Sequence, residues 1–76
     1  MKAEIQTKVA EYEQLLEKAH TLGTELREQV RQLPPSDQQV GLSWRMAQSV
    51  EHVTTAQTYG LKFRHFVNNH LKEEEV

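Results

Sequence analysis

The chain has 76 residues, no cysteine, 37% hydrophobic and 26% charged residues, and a formal net charge of −2. This excludes disulfide staples and thiolate metal sites, a strongly basic or acidic polyelectrolyte, and the weakly hydrophobic composition of disordered chains. No apolar run is long enough to cross a bilayer and none follows Met1–Lys2 as a signal segment would, so a cytoplasmic location is the default expectation. A chain this short buries little of its own surface and, without a staple, is expected to complete its core with a second chain.

The first predicted element is a helix over about residues 3–33. Ile5, Val9, Tyr12, Leu16, Ala19, Gly23, Leu26, Val30 and Leu33 alternate at spacings of four and three, the heptad pattern of a coiled-coil seam. Leu15 and Leu22 form a second, shorter row beside it, which makes the apolar stripe wider than a two-stranded coiled coil requires. Pro34 and Pro35 then remove two backbone donors and disfavour helical geometry in the residue before each, ending the helix.

A loop is expected over about 34–42, with a possible short helical turn from Asp37. Two helix starts are open: Ser36, with Gln39 placed to complete a capping box, and Ser43, with Leu42 and Ala47 as a hydrophobic staple. Gly41 is the weak point between them.

The second helix, over about 43–71, carries two adjacent heptad rows. One is Met46, Val50, Val53, Gln57, Gly60, Arg64, Val67 and Leu71; the other is His52, Ala56, Tyr59, Phe63, Phe66 and His70. Together they form an apolar face that a single neighbouring helix cannot cover. In an antiparallel hairpin turning near residues 37–39, paired positions sum to about 76. That places Gly60 beside Leu15 and Leu16, and Gly23 opposite Val53. The acidic tail, 72–76, opposes the helix macrodipole and is expected to fray.

Candidate chemistry is sparse. His65 and His70 are five residues apart and face different sides of a helix, and His52 and His70 are about 27 Å apart along it. Glu17-Lys18-Ala19-His20 matches the Glu-x-x-His spacing of carboxylate-bridged metal bundles, but Glu51 lies at another level and Glu17 and His20 flank the seam. No nucleophile has an acid–base partner in sequence, and no glycine-rich phosphate loop occurs. The chain is therefore read as non-enzymatic, with no cofactor and no metal. A nucleic-acid-binding helical dimer is the main alternative: residues 54–71 carry no acidic side chain, yet Arg45, Lys62 and Arg64 do not form one stripe.

Arg64 falls within an apolar row. Its stem is expected to cover the seam while the guanidinium reaches water or an acid near Glu11 or Glu13, or else to set register together with Gln57. Trp44 is expected to fold over the loop onto Leu33, Val40 or Leu42; the alternative is an exposed Trp44–Arg45 anchor for a partner.

The resulting expectation is an all-α protein, an antiparallel hairpin of two long amphipathic helices that dimerises into a four-helix bundle. Its function is a protein–protein interaction module, an adaptor, chaperone or regulator, acting as a homodimer or with a helical segment of a protein partner. The candidate interface comprises Trp44, Arg45, Val53, Gln57, Tyr59, Phe63, Arg64, Phe66 and Val67.

Overall fold

The computed structural model describes residues 1–72. Two α-helices, α1 (Lys2–Arg31) and α2 (Asp37–His70), pack antiparallel into a rod 62 Å long and 15 by 12 Å across. The expected tail lies outside the described residues from position 73 onward.

The reversal of the chain is tighter than the sequence suggests. The last turn of α1 closes with the N–H groups of Gln32 and Leu33 donating to the carbonyls of Gln29 and Val30, each at 3.2 Å, the short-range bonding that satisfies orphan carbonyls at a helix end. The prolines prevent continuation, and Ser36, in extended geometry, caps α2: its Oγ accepts the N–H of Gln39 at 3.0 Å. Of the two possible starts, Ser36 is therefore the one used. Gln39 does not return the second half of a capping box. Its Nε2 instead donates to the Val30 carbonyl at 3.2 Å, tying the first turn of α2 to the last turn of α1.

Residues 37–42 are consequently helical rather than a loop, and Gly41 lies inside α2. A Cβ at Gly41 would meet nothing within 4 Å. Since glycine in a helix interior costs about 1 kcal/mol relative to alanine, Gly41→Ala is expected to raise the thermal midpoint by about 4–8 °C. A melt followed by circular dichroism checks this. An unchanged or lower midpoint would mean that α2 is broken at this point in solution.

The inner face of α2 follows its first heptad row. Met46, Val50, Val53, Gln57, Gly60 and Leu71 are half-buried and Val67 is buried at 5% exposure, while Gln39 and Ser43 extend the same spacing back to the loop. On α1 the predicted seam divides. Val9, Leu16, Gly23 and Val30, spaced by sevens, turn inward together with Ile5, whereas Tyr12, Ala19, Leu26 and Leu33 remain exposed. Glu13 and His20 are half-buried on the other flank of the inner row. Gly23, the one buried residue of α1, explains this rotation: a Cβ there would lie 3.0 Å from Val50 Cγ2 and 3.6 Å from Met46 Cε, so the helices approach most closely on its row.

The register differs from the expected one for the same reason as the loop. Because the chain reverses over only 32–36, Gly23 meets Val50, one turn nearer the loop than Val53. Toward the open end the offset disappears: a Cβ at Gly60 would lie 3.7 Å from Leu16 Cδ1, as expected, and 3.7 Å from Tyr12 Cε2, in place of Leu15. Gln6 Nε2 donates to Asn68 Oδ1 at 2.8 Å and closes that end.

The threonines of α2, poor helix formers by propensity, each donate to a carbonyl one turn back, Thr54 to Val50, Thr55 to Glu51 and Thr58 to Thr54. Their hydroxyls are thereby satisfied inside the helix.

Candidate functional site

Two heptad rows that do not face the opposite helix converge on one side of the rod. α1 contributes Tyr12, Leu15, Ala19, Leu22 and Leu26, with half-buried Ile5 at their edge; α2 contributes Ala56, Tyr59, Phe63 and Phe66. Their positions follow from helical geometry: Leu15 and Leu22 on α1 and the four residues on α2 lie one residue, or about 100°, before the inner row, while Tyr12, Ala19 and Leu26 lie four residues before it, or about 40° toward the same side, and in antiparallel helices these rotations lead to one side of the rod. Exposure is high for side chains of this size: 52% for Tyr12, 66% for Leu15, 64% for Tyr59, 49% for Phe63 and 65% for Phe66.

At the open end this side forms an apolar groove. One part, of about 490 Å³, is lined by Ile5, Lys8, Val9, Tyr12, Ala56, Tyr59, Gly60 and Phe63. A second part of about the same volume continues along Ile5, Phe63, Phe66, Val67, His70 and Leu71. Gly60 forms part of the floor, so its missing side chain keeps the space between Tyr12 and Tyr59 open. The aromatic groups also have local order: Phe66 and His70 rings lie 4.7 Å apart, centroid to centroid, and Lys62 Nζ sits 5.1 Å from the centre of the Tyr59 ring. The ammonium leans over the edge of the apolar face, as a cation does over an aromatic quadrupole.

The candidate interface residues separate into three groups. Tyr59, Phe63 and Phe66 lie together on the open face. Val53, Gln57 and Val67 belong to the inner row, and Val67 is covered by α1. Arg64 is also on that row but at its rim, with Nε 3.6 Å from Glu13 Oε2 and the side chain 44% exposed. Such a partly solvated pair adds at most about 1 kcal/mol. It resolves the open choice of acid in favour of Glu13.

Trp44 and Arg45 lie near the loop end, both exposed. The expectation that Trp44 covers the loop is not met: it is 66% exposed, and Leu33, Val40 and Leu42 are exposed as well. Since α2 is continuous from Asp37, Trp44 is one step past the inward Ser43, and helical rotation turns its ring outward.

The α1 half of the open face is what sequence patterning assigned elsewhere. Heptad spacing predicts Tyr12 and Leu26 in the inner seam, whereas both are about half exposed and Leu15 and Leu22 interleave with them at three- and four-residue spacing. That interleaving, together with the glycine in the competing row, is the signal that separates the two rows.

Among the described residues, no group of three or more His, Cys, Asp or Glu side chains comes together to hold a metal ion. No described helix is long and apolar enough to cross a membrane. The chain is a small all-helical hairpin whose largest exposed features are apolar. No protein-family model matches it, and neither a curated protein nor a solved structure is detectably similar to it.

Proposed function

We propose that this protein is a non-enzymatic interaction module, a small adaptor, chaperone or regulator, that works by accepting helices from another chain against its open face. The bound state is a four-helix bundle in which Tyr59, Phe63 and Phe66 enter a shared core. The observation that carries this reading is the amount of large apolar surface left over after the two helices have paired. The described residues include one buried hydrophobic side chain, Val67, against a face of half- to two-thirds-exposed rings and leucines. Contiguous apolar patches of this extent mark binding sites, and the helix-in-groove mode uses anchors at the spacing of Tyr59, Phe63 and Phe66. Recognition in an aqueous compartment such as the cytoplasm would draw affinity from these rings and selectivity from the charged rim.

The test is proximity in the cell. Replacing Tyr59 by photoreactive p-benzoyl-phenylalanine and irradiating cells that make the protein is expected to give a covalent adduct with a protein chain. The adduct should disappear when Phe66 is also changed to glutamate, whose charge would have to be buried in the shared core. A photoreactive group that captures no protein, under conditions where a control position such as Glu28 behaves identically, would refute the reading.

A further inference from the structure

We propose that the chain covering this face is a second copy of the protein, placed by a two-fold axis parallel to the rod, so that both loops lie at the same end. α1 of each copy then packs on α2 of the other. This rests on the interaction-module reading above and specifies its partner and geometry.

The area suits self-association. Taking about 200 Å² for a fully exposed aromatic or leucine side chain, the large groups between Tyr12 and Leu26 on α1 and between Tyr59 and Phe66 on α2 expose roughly 800 Å². A stable interface of standard size buries about that much from each partner. Among the described residues, no side chain of a single chain is fully buried, so a 76-residue hairpin lacks the core that chains of this size need.

Charge selects the orientation. The outer edge of the face on α1 lies one position before Tyr12, Ala19 and Leu26, and carries Glu11, Lys18 and Glu25, with Glu4 about two turns further on toward the open end and Lys8 inside that edge, lining the groove. On α2, Lys62 borders the face beside Tyr59 and Arg45 lies in the same row as Phe63, while residues 54–71 contain no acid. The α1 edge is thus mainly acidic and the α2 edge basic.

A two-fold axis along the rod keeps every residue at its own level. Inside the hairpin, Gly23 lies between the levels of Met46 and Val50, Gly60 between those of Tyr12 and Leu16, and Gln6 bonds Asn68, which puts Glu11 close to the level of Lys62 and Glu25 close to that of Arg45. The same operation therefore brings Glu11 against Lys62 of the second copy and Glu25 against Arg45 of the second copy. It also stacks the aromatic open ends on each other. The other face-to-face arrangement, with the axis across the rod, sets α1 against α1 and α2 against α2. Across α1 only Lys8 and Glu25 would then meet as opposite charges, Glu11 would have no base at its level, and the rings of one copy would meet Ser49 and His52 of the other. Electrostatic matching of this kind fixes register and partner orientation in helical bundles.

The absence of cysteine makes the geometry directly measurable. In the double variant Glu11→Cys/Lys62→Cys the two positions lie on opposite outer edges of one hairpin. A disulfide, which needs Cα atoms about 4.4–6.8 Å apart, can form there only between copies. Light scattering at 50 µM is expected to give a two-chain mass before oxidation, and mild oxidation a covalent dimer reversed by reductant. The Lys8→Cys/Glu25→Cys variant, whose positions meet only when the loops point in opposite directions, is expected to stay unlinked. Lys62→Glu alone should weaken self-association about three- to tenfold, and Glu11→Lys in the same chain should restore it.

Linking through positions 8 and 25 but not 11 and 62, or no rescue by Glu11→Lys, would overturn the orientation and leave the module reading standing. A one-chain mass at 50 µM would overturn the second copy as partner. The photo-crosslink at Tyr59 then decides the module reading separately, since an adduct with a different protein retains it and no adduct removes it.

Discussion

Replacing Phe63 by alanine is expected to cost about 3–5 kcal/mol of stability and to shift the protein from an assembled to a one-chain mass at micromolar concentration. The size of the effect depends on what covers the ring. Within one hairpin Phe63 is 49% exposed, so a lone chain loses only the covered half of its transfer free energy, on the order of 1–2 kcal/mol. The full cost appears only if the remaining surface is buried by another chain. Leu61→Ala supplies the contrast: Leu61 is 40% exposed but lies on the opposite flank, beside Leu16 and Glu17. Its loss should cost about 1 kcal/mol and leave the mass unchanged. Chemical denaturation over a range of protein concentrations, with light scattering on the same samples, measures both quantities. Equal small costs for the two variants, with no concentration dependence, would show that the open face stays in water.

Gly23→Leu is expected to destabilise the hairpin by about 2 kcal/mol, whereas Gly23→Ala should be nearly neutral. The distinction comes from the closest approach of the two helices. A single added carbon lies 3.0 Å from Val50 Cγ2, a crowding that a shift of a few tenths of an ångström relieves, and alanine recovers about 1 kcal/mol of helix propensity in return. The three further carbons of leucine have no space between Val50 and Met46, and they push the helices apart over the whole inner row. At Gly60 the same added carbon meets Leu16 and Tyr12 at ordinary contact distance, 3.7 Å, so the two glycines have different roles despite sharing a heptad pattern. Urea unfolding midpoints separate these outcomes. A Gly23→Leu protein as stable as the parent would mean that the inner row is not the line of contact.

Periodicity and punctuation made much of this architecture legible. The heptads predict two long helices, and Pro34–Pro35 places the reversal. Each of these follows from local chemistry: side-chain spacing fixes the helical period, and proline removes the donors a helix needs. That one apolar row of α2 is left over was also legible, because two adjacent apolar rows on one helix exceed what one neighbour covers; the exposure of Tyr59, Phe63 and Phe66 and the burial of Val67 show which row it is.

Three features were settled only by the tertiary structure. Which α1 row turns inward was open to either side of the seam, since Tyr12 and Leu26 are as apolar as Val9 and Val30; close approach at Gly23 chose the latter. The helical start at Ser36 was one of two acceptable caps, and Gln39 reaching the Val30 carbonyl in the neighbouring helix favoured it. Trp44 follows from that start, because an unbroken α2 rotates its ring away from the loop. Sequence by itself determined that this chain is two amphipathic helices folded at a double proline. Their rotation, their register and the composition of the face they leave open were decided by the packing of one helix on the other, since spacing sets the period of an apolar stripe while only contact between stripes sets its phase.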